Sequence, residues 1–129
     1  MTEKTVLLVM YRRMLSDWLT NQTGGNIHFK VVAVDNYALA PLTAETCMPD
    51  LALVEIPESG QWQSAEKCLT MCDLIRTQIP NCKQMILCDD KDAASCQAAI
   101  QARKEQRIDD FLFFSNSTKY LVSKLEALV

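Results

Sequence analysis

Met48-Pro49-Asp50-Leu51-Ala52-Leu53-Val54-Glu55 decides how this chain is read. A Pro-Asp turn signal opens the stretch, four apolar residues follow without a break, and one carboxylate ends it. An unbroken apolar run of this length between breakers predicts a strand buried on both faces. Such strands belong to mostly parallel sheets covered by helices on both sides, with ligand sites at the carboxyl ends of the strands. Glu55 is therefore expected where a fold of this kind keeps its chemistry.

Working outward, residues 4–10 predict a second apolar strand, β1. Met14, Leu15, Trp18 and Leu19 then place a helix, α1, over 11–22, ended by Gly24-Gly25. Residues 29–34 read as β2. Asn36 caps a short helix, α2, reaching residue 44, with Pro41 in its first turn or as a distortion. The opening stretch supplies β3 over 51–55. Residues 64–78 give α3, with Leu69, Cys72 and Ile75 inward, and Pro80-Asn81 stops it. β4 covers 83–88 and α4 covers 92–107, whose Ala94, Ala98 and Ala102 suit close packing. β5 covers 110–114, and α5, over 117–128, turns Tyr120, Leu121, Leu125 and Leu128 to its apolar face. The order βαβαβαβαβα specifies an α/β fold with a parallel sheet between two helical layers, as one domain over 1–129.

Composition narrows the function classes. With 49% hydrophobic and 22% charged residues the chain reads as an ordinary globular domain. A net charge of −3 gives no electrostatic reason for a nucleic-acid partner, and Arg12-Arg13 and the 103–107 segment are only local basic spots. No apolar run approaches the ~20 residues of a membrane span, so a cytoplasmic protein with no membrane partner is expected. The six cysteines form no CxxC pair and read as buried reduced thiols, and His28 stands too far away to complete a zinc site. Residues 10–15 contain no glycine to wrap a flavin phosphate, and three glycines in the whole chain cannot make a dinucleotide fingerprint. His28 also lacks the neighbours of a cobalamin ligand, and no nucleophile–histidine arrangement can be argued. Neither an enzyme nor a cofactor is expected.

Four local patterns together resemble the CheY-like receiver domain, the phosphoacceptor module of two-component signalling, over nearly the whole chain. Pro49-Asp50 to Glu55 is similar to the strand that ends in the phosphorylated aspartate, and Gly60 stands near the glycine closing the next loop. Met85-Ile86-Leu87-Cys88 is similar to the fourth strand, and Asp109-Asp110-Phe111-Leu112 to the segment before the switch aromatic, which would be Phe111. The resemblance implies a flavodoxin-like sandwich with strand order 2-1-3-4-5. It also implies an acidic metal-holding pair at Met10 and Tyr11, an acceptor aspartate at Glu55, a hydroxyl at Cys88 and a lysine at Phe114. None of those residue types is present, and the loop from Glu55 to Gly60 is shorter than the family's.

Phosphoryl transfer depends on positioning and on neutralising the phosphoryl oxygens, which in receivers falls to metal and lysine. A thioether and a phenol do not form a Mg²⁺ site. The expectation is a degenerate receiver that is not phosphorylated in the ordinary way and acts through a protein partner or as a homodimer. Within the resemblance the α4-β5-α5 face is the docking surface, and it includes Phe111 and Phe113. Glu55 reads as a solvated strand-end acid or as a fixed mimic of the phosphorylated aspartate, with the solvated reading in the lead. A second class keeps a small effector or cation on Glu55, Asp35, Asp89 and Asp90. A third makes the chain the N-terminal receiver of a longer regulator.

Overall fold

The computed structural model describes residues 2–10, 17, 27–114 and 118–128. Strands Thr2–Val9 (β1), Ile27–Val34 (β2), Leu51–Glu55 (β3), Lys83–Cys88 (β4) and Asp110–Phe113 (β5) form one sheet in the order β2-β1-β3-β4-β5. Every neighbouring pair is parallel. The parallel sheet is the one expected from the alternation, and its order is the flavodoxin-like one that the resemblance implies. Apart from residue 17, the α1 segment over 11–22 lies outside the described residues. A 3₁₀ turn, Tyr37–Leu39, leads into α2 (Ala40–Cys47), followed by α3 (Ala65–Gln78), α4 (Ala93–Lys104) and α5 (Thr118–Leu128). Pro41 occupies the first turn of α2, where its missing N–H costs no helical bond.

Strand alternation divides the core in two. Leu7, Val9, Ala52, Val54, Ile86 and Cys88 face the layer holding Ala44, Cys72, Ile75 and Ala99 from α2, α3 and α4. Val6, Leu8, Leu51, Leu53, Met85, Leu87 and Leu112 face Leu121 and Leu125 of α5. Leu69, Cys72 and Ile75 are buried as expected. Two helix faces are rotated from the expectation. On α4 the buried residues are Ser95, Ala99 and Ala102, while Ala94 is exposed. On α5 Tyr120 points outward, 45% exposed, and Val122 takes the inward position beside Leu121. Both differences are one helical step, which an alanine-rich or mixed segment does not fix by composition.

Two aspartates pin the strand register at the amino end of the sheet. The Asp50 N–H donates to the Thr5 carbonyl at 2.8 Å, and Asp50 Oδ2 accepts the Thr5 N–H at 2.8 Å. Asp109 repeats the device on β4: its N–H donates to the Gln84 carbonyl at 2.9 Å and its Oδ2 accepts the Gln84 N–H at 2.8 Å. In each case one residue just before a strand satisfies both backbone groups of a neighbouring-strand residue.

α4 stops at Lys104, earlier than the expected 107, because Gln106 turns left-handed at φ 63°. The Gln106 N–H donates to the Arg103 carbonyl and the Arg107 N–H to the Ala102 carbonyl, the paired bonds of a Schellman ending. Glycine would hold this conformation without Cβ strain, although it would also loosen the unfolded chain. Gln106→Gly is expected to stabilise the fold by about 0.5 kcal/mol net, read as a small rise in the thermal midpoint.

The Gln84 side chain is fully buried, and neither of its amide atoms has a hydrogen-bond partner among the described residues. An unsatisfied buried amide is costly, so an apolar side chain of similar length should be tolerated or preferred. Gln84→Met is expected to raise stability by about 1 kcal/mol in denaturant unfolding. A loss of stability would mean that the amide is satisfied in solution.

Candidate functional site

The carboxyl end of the sheet is where β1, β3 and β4 would present a receiver's chemistry. Met10 follows β1, its N–H donating to the Val34 carbonyl at 3.1 Å, and its side chain is buried in the α5-side core. Tyr11 lies outside the described residues. Glu55 ends β3 with only 1% of its surface exposed. This overturns the solvated reading of that carboxylate. The adjoining residues close over it: Ile56 and Pro57 are buried, and the Ile56 N–H donates to the Leu87 carbonyl at 2.8 Å.

A phenol completes the enclosure. Tyr37, buried within the 3₁₀ turn that Asn36 caps, donates its hydroxyl to the Glu55 carbonyl at 2.6 Å. Trp62 lies against it, ring centroids 5.6 Å apart. Trp62 belongs to the turn after Gly60, whose φ of +89° is the left-handed conformation that glycine adopts freely. Cys68 on α3 is close enough to feel Glu55. Burial, and then the field of that carboxylate, push its thiol up to about 12.

Cys88 ends β4 fully buried, its Sγ donating to the Leu112 carbonyl at 3.6 Å. Burial foremost, then Cys96 and the acids at 92 and 89, push its thiol up to about 12. The Phe114 N–H donates to the Cys88 carbonyl at 3.1 Å, and its ring is half-buried against the α5-side core. Alternation sends Phe111 and Phe113 to the opposite layer. There they meet edge to face, centroids 5.5 Å apart, half-buried against the main core.

Beside this sealed centre lies a cleft of about 380 Å³ between the β3–α3 loop (Ile56, Pro57, Glu58, Gln63) and the start of α4 (Asp89, Lys91, Asp92, Ser95). The two acids on its α4 side are engaged in building that helix. Asp89 Oδ1 accepts the Lys91 N–H at 2.9 Å. Asp92 caps the helix through Ser95, whose hydroxyl and amide hold the Asp92 carboxyl below its ordinary range. Among the described residues no three acidic, cysteine or histidine side chains gather as a metal set. Glu55, Asp35, Asp89 and Asp90 are therefore not assembled into the cation site considered above. A buried thioether at Met10 and an enclosed Glu55 also do not offer the exposed oxygens that Mg²⁺ requires.

The sequence reading missed Tyr37, Trp62 and Gln84. For Gln84 the signal was present, since alternation groups it with Ile86 and Cys88 on a buried face. For the two aromatics nothing local announced their place above Glu55.

No protein-family model and no curated protein sequence matches this chain. Solved structures do. A DNA-binding response regulator of the LuxR family from Staphylococcus aureus superposes with a TM-score of 0.73 at 17% identity, covering 97% of this chain and 98% of that one. A response regulator from Thermotoga maritima gives 0.70 at 22% identity, covering 99% and 98%. A structure titled as the adenylate cyclase from Rhodopirellula baltica gives 0.76 at 16% identity, covering 98% and 87%. At identities of this order the likeness carries the fold, and the fold is that of the receiver domains of response regulators.

Proposed function

We propose that the protein is a receiver-type signalling module that acts by binding a protein, a partner or a second copy, through its α4-β5-α5 face, without carrying a phosphoryl group and without enzymatic activity. The enclosure of Glu55 supports the first half of this reading. A phosphoryl group there would bring about two negative charges into a space closed by Tyr37 and Ile56, with Phe114 where receivers carry lysine.

The make-up of the α4-β5-α5 face supports the second half. Asp110 of β5 is held from both flanks: by Arg103 of α4 at 3.3 Å and by Lys124 of α5 at 3.0 Å. Beside this ionic strip stand Ile100, one turn before Arg103, and Tyr120, whose ring lies near the Lys124 ammonium. Both are exposed. Exposed apolar side chains around a fixed polar strip suit a protein surface that docks. Phe111 and Phe113 contribute by supporting this face from the core side.

The experiment is an amide NMR titration with Mg²⁺ and beryllofluoride, the acyl-phosphate mimic, followed by binding measurements. Spectra unchanged at Glu55, Cys88 and Phe111 are expected, and shifts clustered there would sink the non-phosphorylated reading. Ile100→Asp and Tyr120→Asp are expected to weaken self-association or partner binding at least tenfold, measured by sedimentation or calorimetry. An affinity indifferent to both would remove the docking face.

A further inference from the structure

The two edges of the sheet are built differently. β5, at one edge, is four residues long, and its first residue, Asp110, carries the ion pairs to Arg103 and Lys124. Short length and fixed charge are ordinary ways of blunting an edge. β2, at the other edge, runs for eight residues, paired to β1 without a bulge and holding no proline. Lys30 is its only charged residue at neutral pH. The Val34 carbonyl accepts the Met10 N–H, so Val34 and every second residue before it turn their backbone groups to β1. Phe29, Val31 and Ala33 therefore aim N–H and C=O outward, and among the described residues no strand pairs with them. The 3₁₀ turn and α2 roof the same edge. Ala40 and Ala44 share a core cluster with Val32 and Val34, while Leu39 and Leu42 are 49% and 61% exposed. The Thr43 and Thr46 hydroxyls donate back to the Leu39 and Leu42 carbonyls at 3.0 and 3.1 Å, so this side of the helix makes few polar demands.

We propose that the β2 edge pairs with the β2 edge of a second copy, antiparallel about a two-fold axis, so that two five-stranded sheets become one. An unpaired row of backbone donors and acceptors fits an extended strand, and charge selects this strand in this direction. Lys30 stands near the start of β2 and Asp35 just past its end, both exposed. Antiparallel pairing sets the Lys30 end of each strand against the Asp35 end of the other, and the two-fold makes this happen twice. Parallel pairing in register would instead oppose like charges. In the register centred on Val32, Val31 of each copy faces Ala33 of the other, and the two exchange both backbone bonds. The same axis brings Leu39 and Leu42 toward their counterparts. Of the two occupants named for the α4-β5-α5 face, this leaves the partner protein.

The test combines sedimentation of the full chain with amide exchange at several protein concentrations. A dimer with a Kd in the micromolar range is expected, and exchange of the Val31 and Ala33 N–H groups should slow at least tenfold as it forms. Ala33→Pro deletes an outward N–H that β1 does not use, and Ala33→Lys puts a charge at an exposed edge position. Each should weaken dimerisation at least tenfold while keeping the parent's far-ultraviolet circular dichroism; should the proline variant unfold, the lysine variant decides. Ile100→Asp and Tyr120→Asp should leave the dimer intact. The proposal is overturned if the chain stays monomeric to near-millimolar concentration, or if the folded Ala33 variants dimerise like the parent. It is overturned too if the two amides are already protected in the dilute monomer, since the chain would then cover its own edge. Loss of the dimer in Ile100→Asp or Tyr120→Asp would likewise overturn it, by placing the second copy on the other face.

Discussion

Replacing Tyr37 with alanine is expected to cost about 3–5 kcal/mol of stability, and replacing it with phenylalanine about 1–2 kcal/mol. The ring is almost wholly buried, so alanine removes its transfer energy and leaves a cavity beneath Trp62. Phenylalanine keeps the packing and deletes only the hydroxyl that donates to the Glu55 carbonyl at 2.6 Å. Urea unfolding checks both, with the midpoint moving and the slope held. The comparison also isolates the hydrogen bond. A phenylalanine variant as stable as the parent would mean that this bond does not hold the enclosure shut. The alanine variant should further speed amide exchange at Glu55 and Ile56, since what covers them is gone.

The second large effect is expected at Asp109. Its Oδ2 accepts the Gln84 N–H at 2.8 Å and the Arg76 guanidinium at 2.9 Å. Arg76 also donates to the Gln106 carbonyl at 2.8 Å, so one carboxylate joins β4, α3 and the turn after α4. Asp109→Ala leaves a buried N–H on β4 without its acceptor and is expected to cost about 2–3 kcal/mol. Asp109→Asn keeps an acceptor oxygen and gives up the charge, so about 1 kcal/mol is expected, most of it lost again at high salt. An asparagine variant as damaged as the alanine variant would assign the effect to the ion pair.

The sheet was legible because its signals are periodic and its breakers strong. Residues 51–54 admit few readings besides a doubly buried strand, and the strand bounds at 51–55 and 83–88 agree with the structure to the residue. Helix rotation was less legible. Alanines at 94, 98, 99 and 102 offer two stripes, and only packing selects the one through Ala99 and Ala102. The candidate site was legible in position and misread in environment. The residues that enclose Glu55 come from elements eighteen residues before it, at Tyr37, and a turn after it, at Trp62. That closure is a tertiary fact which no local pattern encodes.

Among the described residues every strand pairing is parallel, and this has a consequence for how the chain reaches its fold. Each parallel pairing must wait for a crossover connection to form, so the described strands offer no hairpin as a quick local nucleus. The Thr5–Asp50 bond joins residues 45 apart and the Gln84–Asp109 bond residues 25 apart. A topology of this contact order is expected to fold orders of magnitude more slowly than a helical bundle of equal size. Throughout that interval the apolar runs of β3 and β4 and six reduced thiols are open to other chains. Recovery from the unfolded state should therefore fall as protein concentration rises, and dilution with a strong reductant should restore it.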